Sequence, residues 1–351
     1  MCSGNKEEEM TNPKKIVVEG TDLEFPVEKG DTILRAALRN GIGLPYDCNS
    51  GGCGSCQFEL INGEIKDLWP EAKGISERAR RRGRHLACQS RPDGDCTIKV
   101  QIERQYEPIV SPRRQTLRYV SCTQITHNMA EFTFKGDLPA DFLVGQYILL
   151  DIPTVEGSRA YSMSNLPNEQ GEWRFIAKRI PGGAATSFLF EHLVSGQKIE
   201  IDGPYGMSYL REDSPRDIIL IGGGSGISPL MSIMRQASIS ATASQKKMLL
   251  FYGGREPQDL CANKLVSAYP SLAQRVSVVE AISDTDGLNR PEGTESGFIH
   301  DVVRQNKKVQ INPLNYDYYF CGPPAMISAV NKMLQLDLNV PADQLYFDSF
   351  L

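Results

Sequence analysis

The chain has 351 residues, which at roughly 100–200 residues per domain predicts two or three domains with cores that need no disulfide staples. Lys and Arg total 38 against 43 Asp and Glu, a net charge of −5, with no third of the chain strongly charged. That balance argues against a basic nucleic-acid-binding face and against an acidic disordered tail. No apolar run approaches the roughly 18 residues of a membrane span, and residues 1–15 hold no signal-peptide core, so no membrane partner and a cytoplasmic location with reduced thiols are expected.

Residues 1–13 read as a polar tail. Ile16, Val17 and Val18, then 23–27, form two short strands about a Gly20-Thr21-Asp22 turn. Asp31 is placed to cap a helix whose apolar residues Ile33, Leu34, Ala37 and Leu38 recur at helical spacing, with Gly41 ending it. A glycine-rich irregular stretch, 44–56, follows, and 97–102 alternates like a closing strand. Together these predict one small α+β unit over 14–104. Pro108 and Pro112 mark 105–116 as a linker. Short β-like runs at 117–120, 129–134, 146–152, 173–178 and 198–201, with a helix over 185–193, predict a barrel or sandwich over 117–212. From 213 to 351 the rhythm changes. Apolar strands at 218–221, 248–252, 276–279 and 318–320 alternate with helical segments, the pattern of a doubly wound parallel sheet.

Nine cysteines are present. Cys48, Cys53, Cys56 and Cys88 follow C-x4-C-x2-C with a distant fourth, the plant-type spacing for a [2Fe–2S] cluster. The intervening Asn49, Ser50, Gly51, Gly52, Gly54 and Ser55 are small, as a loop bringing its N–H groups to sulfur requires, and glycine supplies the φ values. A zinc site usually pairs two short knuckles, and only one short pair occurs. A thioredoxin-like reading of Cys53 and Cys56 ignores Cys48 and lacks a βαβ setting. A Rieske centre needs two histidine ligands, and none of His85, His127, His192 and His300 lies in a Cys-x-His arrangement. Cys96, Cys122 and Cys261 read as ordinary small residues. Cys2 has no evident role.

Arg159, Ala160, Tyr161 and Ser162 read as a strand. The arginine can clamp a phosphate, the tyrosine ring can stack on isoalloxazine, and the serine hydroxyl can bond a flavin nitrogen; the alternative is an exposed strand with a buried tyrosine. Downstream, Pro181, Gly182, Gly183, Ala184, Ala185 and Thr186 lead into a helix whose N-terminus suits a pyrophosphate. Gly222, Gly223, Gly224, Ser225, Gly226, Ile227, Ser228 and Pro229 join an apolar strand to a helix, again an anion-favouring turn. It is neither G-x-G-x-x-G nor a P-loop, since the chain has no Gly-Lys pair. Gly253, Gly254 and Arg255 end the second strand, where an adenosine ribose would be read. Cys321, Gly322, Pro323 and Pro324 end a later strand, where ligands bind in open α/β sheets, and Pro324 suits a first helical turn. Each of these turns has a packing turn as its alternative.

In this order the motifs resemble the reductase components of multicomponent aromatic-ring oxygenases, of the ferredoxin–FAD–NAD type. The likeness also runs through Leu44, Pro45, Tyr46 and Asp47; Leu68, Trp69, Pro70, Glu71 and Ala72; Arg84, His85, Leu86 and Ala87; Asp202, Gly203, Pro204, Tyr205 and Gly206; and Phe347, Asp348, Ser349 and Phe350. It covers the chain beyond its tail. The resemblance implies an N-terminal β-grasp [2Fe–2S] ferredoxin domain, an antiparallel flavin-binding β-barrel and a doubly wound nucleotide-binding domain ending in a flavin-covering tail. It implies a [2Fe–2S] cluster, FAD and NADH as cofactors. Arg159, Ala160 and Tyr161 would hold the FAD, with Ser162 beside its ring and Gly182, Gly183, Ala185 and Thr186 at its pyrophosphate. Gly223, Gly224, Ser225, Gly226, Pro229, Gly254, Arg255, Gly322 and Pro323 would hold the nicotinamide nucleotide. Cys321 would lie near the nicotinamide and Phe350 over the isoalloxazine, which makes Ser162, Cys321 and Phe350 the candidate catalytic residues. Leu351 departs from the second aromatic with which close relatives often end.

The implied path is NADH to FAD to cluster, then to a Rieske-type ferredoxin or a terminal oxygenase component. The alternative is a redox-sensing iron–sulfur flavoprotein without an oxygenase partner. The charge of Arg255 favours NADPH, while the family precedent favours NADH. Arg78, Arg80, Arg81, Arg82 and Arg84 form a basic run before Cys88, either a solvated face or a docking patch for an acidic acceptor.

Overall fold

The computed structural model describes residues 13–153, 155–283 and 290–350. The expectations for Cys2, the rest of the tail and Leu351 fall outside them. The chain divides between Pro112 and Arg113 into two compact units.

The first unit is built from β1 (Lys14–Val18), β2 (Glu24–Val27), α1 (Ile33–Arg39), β3 (Gln57–Asn62), β4 (Ile65–Asp67), α2 (Glu77–Arg80), β5 (Arg84–Leu86), β6 (Ser90–Pro92) and β7 (Cys96–Lys99). Its five-stranded sheet runs β2-β1-β7-β3-β5, and β4 pairs with β6 apart from it. β1 and β7 are parallel and the other pairs antiparallel, a β-grasp arrangement. α1 buries Ile33, Leu34, Ala36, Ala37 and Leu38. Its cap is Thr32, whose side chain accepts from the Arg35 N–H, and not Asp31 as the sequence predicts. The Asp31 carboxylate is buried and takes two bonds from Arg39 instead, at 3.1 and 2.9 Å. A buried carboxylate is better served by a guanidinium fork than by one amide N–H.

The second unit begins with β8 (Arg113–Gln124), β9 (Met129–Lys135), β10 (Tyr147–Asp151), β11 (Arg159–Ser162), β12 (Glu172–Lys178), α3 (Ala184–Ser187) and β13 (Lys198–Tyr205). The order is β11-β10-β13-β8-β9-β12, and a bridge between Met163 and Phe175 joins the two outermost strands into a barrel. β8 starts four residues inside the expected linker, because Arg113, Arg114, Gln115 and Thr116 pair with β13. Trp173, Phe132, Phe134, Phe142 and Phe175 fill the barrel. The helix expected over 185–193 is α3 followed by a wider, π-type turn over Phe188–His192.

The rest comprises β14 (Asp217–Gly223), α4 (Ile227–Ile239), β15 (Met248–Gly254), α5 (Ala262–Ser267), α6 (Pro270–Ala273), β16 (Val276–Ile282), β17 (Glu295–Ser296), α7 (Ile299–Gln305), α8 (Lys307–Ile311), β18 (Tyr316–Gly322), α9 (Pro324–Lys332) and β19 (Leu345–Ser349). The strands form a wholly parallel sheet in the order β17-β16-β15-β14-β18-β19. The winding direction reverses between β14 and β18, which places a ligand crevice at their carboxyl ends. Met129, Val144, Ile176 and Leu210 of the barrel region belong to the same buried cluster as Leu230, Met234 and Leu250 of the parallel-sheet region. This shared core makes barrel and parallel sheet one compact body.

Candidate functional site

The loop after α1 must curl tightly, and the sequence supplies the means. Asn49, Gly51 and Gly54 take φ values of 48°, 87° and 85°. The Ser50 and Cys53 N–H groups each lie 3.4 Å from Cys48 Sγ, and the Ser55 N–H lies 3.5 Å from Cys53 Sγ. Cys88 arrives from the other side, just after β5, and the Ala87 N–H bonds the Cys56 carbonyl at 2.9 Å. The thiols meet in two pairs. A hydrogen bond to Cys53 holds the Cys48 thiol below its usual range, and the same bond pushes Cys53 up. Cys56 is held up by its bond to Cys88 and by burial. Four cysteines gathered in two pairs are the donor set that would hold a [2Fe–2S] cluster once deprotonated, and the N–H groups aimed at the Cys48 and Cys53 sulfurs favour that anionic state. Among the described residues no group of three His, Cys, Asp or Glu side chains is placed to hold a single ion.

A second segment, missed in the sequence, buttresses this loop. The Gly74 N–H bonds the Gly51 carbonyl at 2.9 Å. A Cβ on Gly74 would fall 2.6 Å from the Gly54 nitrogen, and one on Gly54 would fall 2.3 Å from the Gly74 carbonyl oxygen. Only glycine at both positions permits the approach. Asp67 braces the same region: it accepts from Ser90 Oγ at 3.1 Å, meets His85 Nδ1 at 3.4 Å and lies 3.7 Å from Arg80. The His85 contact holds its carboxyl below the usual range.

On the barrel, Arg159 is exposed, and its Nη1 donates to the carbonyls of Glu156, Gly157 and Ser158 at 3.0–3.2 Å. Its Nε and Nη2 have no partner among the described residues, so donors remain for an anion. Ala160 is exposed beside it. Tyr161 is half-buried and stacks on Phe175 with centroids 4.6 Å apart, and burial pushes its hydroxyl pKa up. Both features belong to the two readings left open: a strand that bears an arginine outward and a tyrosine packed on the barrel. Ser162 is buried. Gly182 has φ 71°, and a Cβ there would meet nothing within 4 Å, so the turn before α3 is open on that side. Thr186 Oγ1 closes the turn, accepting from the Ile180 N–H and donating to the Gly183 carbonyl, both at 3.1 Å. Ala185 lies within α3.

At the switch point, Gly223 ends β14, and Gly224, Ser225 and Gly226 form one tight turn into α4, with Pro229 in its first turn. Proline costs nothing there, since that N–H has no helical partner. A Cβ on Gly226 would fall 1.9 Å from the Cys321 carbonyl oxygen, and one on Gly223 3.0 Å from Met326 Sδ. The two glycine turns therefore pack backbone to backbone. Cys321 is fully buried beneath them, and burial pushes its thiol well up. Gly322 follows, and Pro323 precedes α9. The Phe350 N–H bonds the Gly322 carbonyl at 3.0 Å. β19, which the sequence reading did not anticipate, thus delivers Phe350 to the same turn. Gly254 ends β15, and Asp259 accepts from the Arg255 and Glu256 N–H groups at 3.0 and 3.2 Å. The Arg255 guanidinium is exposed without a partner among the described residues.

Ser228, named above only as part of the glycine-rich turn, also reaches the barrel. Its hydroxyl donates to the Ser162 carbonyl at 2.7 Å and accepts from the Ile176 N–H at 2.9 Å. β11, β12 and α4 are thereby pinned through one side chain.

These sites match three family models in order: the 2Fe-2S iron-sulfur cluster binding domain over residues 16–93, the oxidoreductase FAD-binding domain over 116–209 and the oxidoreductase NAD-binding domain over 220–332. The protein is thus an NAD-dependent iron–sulfur flavoprotein oxidoreductase. It is 40% identical to the ferredoxin–NAD(P)(+) reductase CarAd of Metapseudomonas resinovorans, across 92% of this chain and 95% of that protein. It is 36% identical to the ferredoxin–NAD(+) reductase component of the alkene monooxygenase system of Xanthobacter autotrophicus, across 93% and 98%. The solved ferredoxin reductase in carbazole 1,9a-dioxygenase superposes with a TM-score of 0.86 at 36% identity, covering 96% of this chain and 98% of that one. The chain belongs to the family of ferredoxin–NAD(P)(+) reductase components of multicomponent oxygenase systems. Its activity is electron transfer from NADH through FAD and a [2Fe–2S] centre. Among the described residues no helix is long and apolar enough to cross a membrane.

Proposed function

We propose that this reductase delivers single electrons to the oxygenase component of an aromatic-ring oxygenase system, directly or through a Rieske-type ferredoxin, in the cytoplasm. The observation that carries this reading is the exposed Cys53 on a loop of the first compact unit, while barrel and parallel sheet share the core of the second. A cluster held by an exposed loop residue would lie near the surface, a short exit for an electron, while hydride transfer needs its two partners held together. The names of the relatives, which include carbazole, naphthalene and phenol systems, support the class of partner.

The assignments follow the same reading. Cys48, Cys53, Cys56 and Cys88 hold the cluster. Arg159, Ala160, Tyr161 and Ser162, with Gly182, Gly183, Ala185 and Thr186, hold the FAD. Gly223, Gly224, Ser225, Gly226, Pro229, Gly254, Arg255, Gly322 and Pro323 hold NADH, with Cys321 and Phe350 at the nicotinamide end. The proposed domain limits are 14–104, 113–212 and 213–351, the second moved from 117 to 113 because β8 begins at Arg113; family matches over 16–93, 116–209 and 220–332 support one domain of each kind. Bound flavin supplies the step between two-electron and one-electron chemistry; the protein supplies orientation and the exclusion of water. Ser162 stands at the strand end facing the nucleotide turn, and Ser228 fixes its backbone there. Reconstitution with purified oxygenase and ferredoxin components tests the reading. NADH-dependent turnover with one such system supports it, and NADH-dependent cytochrome c reduction with no coupling to any oxygenase component contradicts it. A kcat/KM ratio in favour of NADH over NADPH, retained in Arg255→Ala, is expected.

A further inference from the structure

We propose that Trp69, Arg78, Arg82 and Arg84 form the docking surface for an acidic one-electron acceptor protein. The inference rests on the reading that electrons leave through the cluster, and it names the surface and partner chemistry of that exit.

Residues 69–84 carry six cationic and two anionic side chains in a chain whose net charge is −5. The cationic excess is not consumed internally. Arg80 is spent on the Ala72 carbonyl at 3.1 Å and on Asp67 at 3.7 Å, and Arg81 pairs with Glu77 at 3.3 Å. The guanidinium groups of Arg78, Arg82 and Arg84 are exposed and have no hydrogen-bond or ion-pair partner among the described residues. Glu59 stands opposite Arg84 across the β3–β5 pair, and Glu71 is exposed nearby; they reduce the excess without cancelling it.

Position gives this charge its meaning. Arg84 opens β5, the edge strand of the sheet, and β5 runs directly into Cys88. Arg80 ties α2 to Ala72, and a Cβ on Gly51 of the cluster loop would touch both Ala72, at 3.3 Å, and Trp69 Cε3, at 3.1 Å. Trp69 lies against the loop yet remains 41% exposed. An exposed tryptophan with unpaired arginines is the composition of a recognition surface, the aromatic supplying desolvated contact and the cations steering encounter.

The test uses the holoenzyme with two probes of opposite charge, the acidic cytochrome b5 and the basic cytochrome c. Binding is read by titration and electron transfer by stopped-flow. Arg78→Glu/Arg82→Glu/Arg84→Glu is expected to weaken cytochrome b5 binding by about tenfold at low ionic strength, with the difference collapsing once the Debye length falls to about 3 Å at 1 M salt. Cytochrome c binding should tighten. Trp69→Ala should weaken cytochrome b5 binding without changing its salt dependence. Unchanged affinity for cytochrome b5, or equal loss for both probes, overturns the proposal. Visible absorption of the cluster verifies folding, and if the triple variant loses it, Arg82→Glu alone carries the same expectations. If NADH fails to reduce the cluster in the unaltered enzyme, the exit reading falls, while the binding titrations still decide the docking surface.

Discussion

The Ser228 hydroxyl donates to the Ser162 carbonyl at 2.7 Å while accepting from the Ile176 N–H at 2.9 Å. One side chain in the first turn of α4 thus satisfies two backbone groups of the barrel, one of them on the strand that carries the flavin motif. Truncation removes a hydrogen bond from each of these buried groups. Ser228→Ala is expected to destabilise the second unit by about 1–3 kcal/mol and to slow NADH-driven bleaching of the flavin more than it lowers FAD content. Thermal unfolding and single-turnover absorbance measure the two effects. An unchanged bleaching rate would mean that Ser228 acts on stability alone.

Gly226 meets the Cys321 carbonyl so closely that no Cβ fits. Gly226→Ala must push the two turns of the switch point apart. Overpacking of this kind costs about 1–3 kcal/mol, so the KM for NADH should rise about tenfold or more, with FAD content and cluster absorbance preserved.

Burial holds the Cys321 thiol well above its ordinary range. Its neutral form therefore persists through neutral and mildly alkaline pH, and only the thiolate reacts readily. Iodoacetamide at pH 8 should leave Cys321 unmodified in the native protein while labelling the exposed Cys122; peptide mapping reads the result.

The Asp67 carboxyl is held below its ordinary range by His85, with Ser90 and Arg80 assisting. A depressed carboxylate contributes stability that is fully present above its unfolded pKa and lost as pH falls through the folded one. The cluster unit should lose visible absorbance on acidification through the lower carboxylate range. Asp67→Asn should be less stable at pH 7 and show a flatter acid limb.

Much of this was legible before the structure. The C-x4-C-x2-C spacing, the R-x-Y-S strand, the glycine turns and the change from barrel to alternating rhythm are local patterns, and local patterns survive in a linear reading. What escaped depends on contacts between distant segments. Gly74 looks like a loop glycine until it is seen against Gly51 and Gly54. Ser228 looks like helix filler until its hydroxyl is traced to Ser162. Asp31 has the residue type of a helix cap, but Arg39, one face along the same helix, competes for it. β19 is short and mixed in polarity, and only the free edge of β18 makes it a strand.

The central claim, that electrons pass from NADH through FAD to the cluster, is tested most directly by anaerobic stopped-flow of the holoenzyme and of enzyme stripped of FAD. The account predicts that flavin absorbance falls before cluster absorbance in the holoenzyme, and that the cluster of the stripped enzyme is not reduced by NADH until FAD is restored. Cluster reduction by NADH at an undiminished rate without FAD would contradict it.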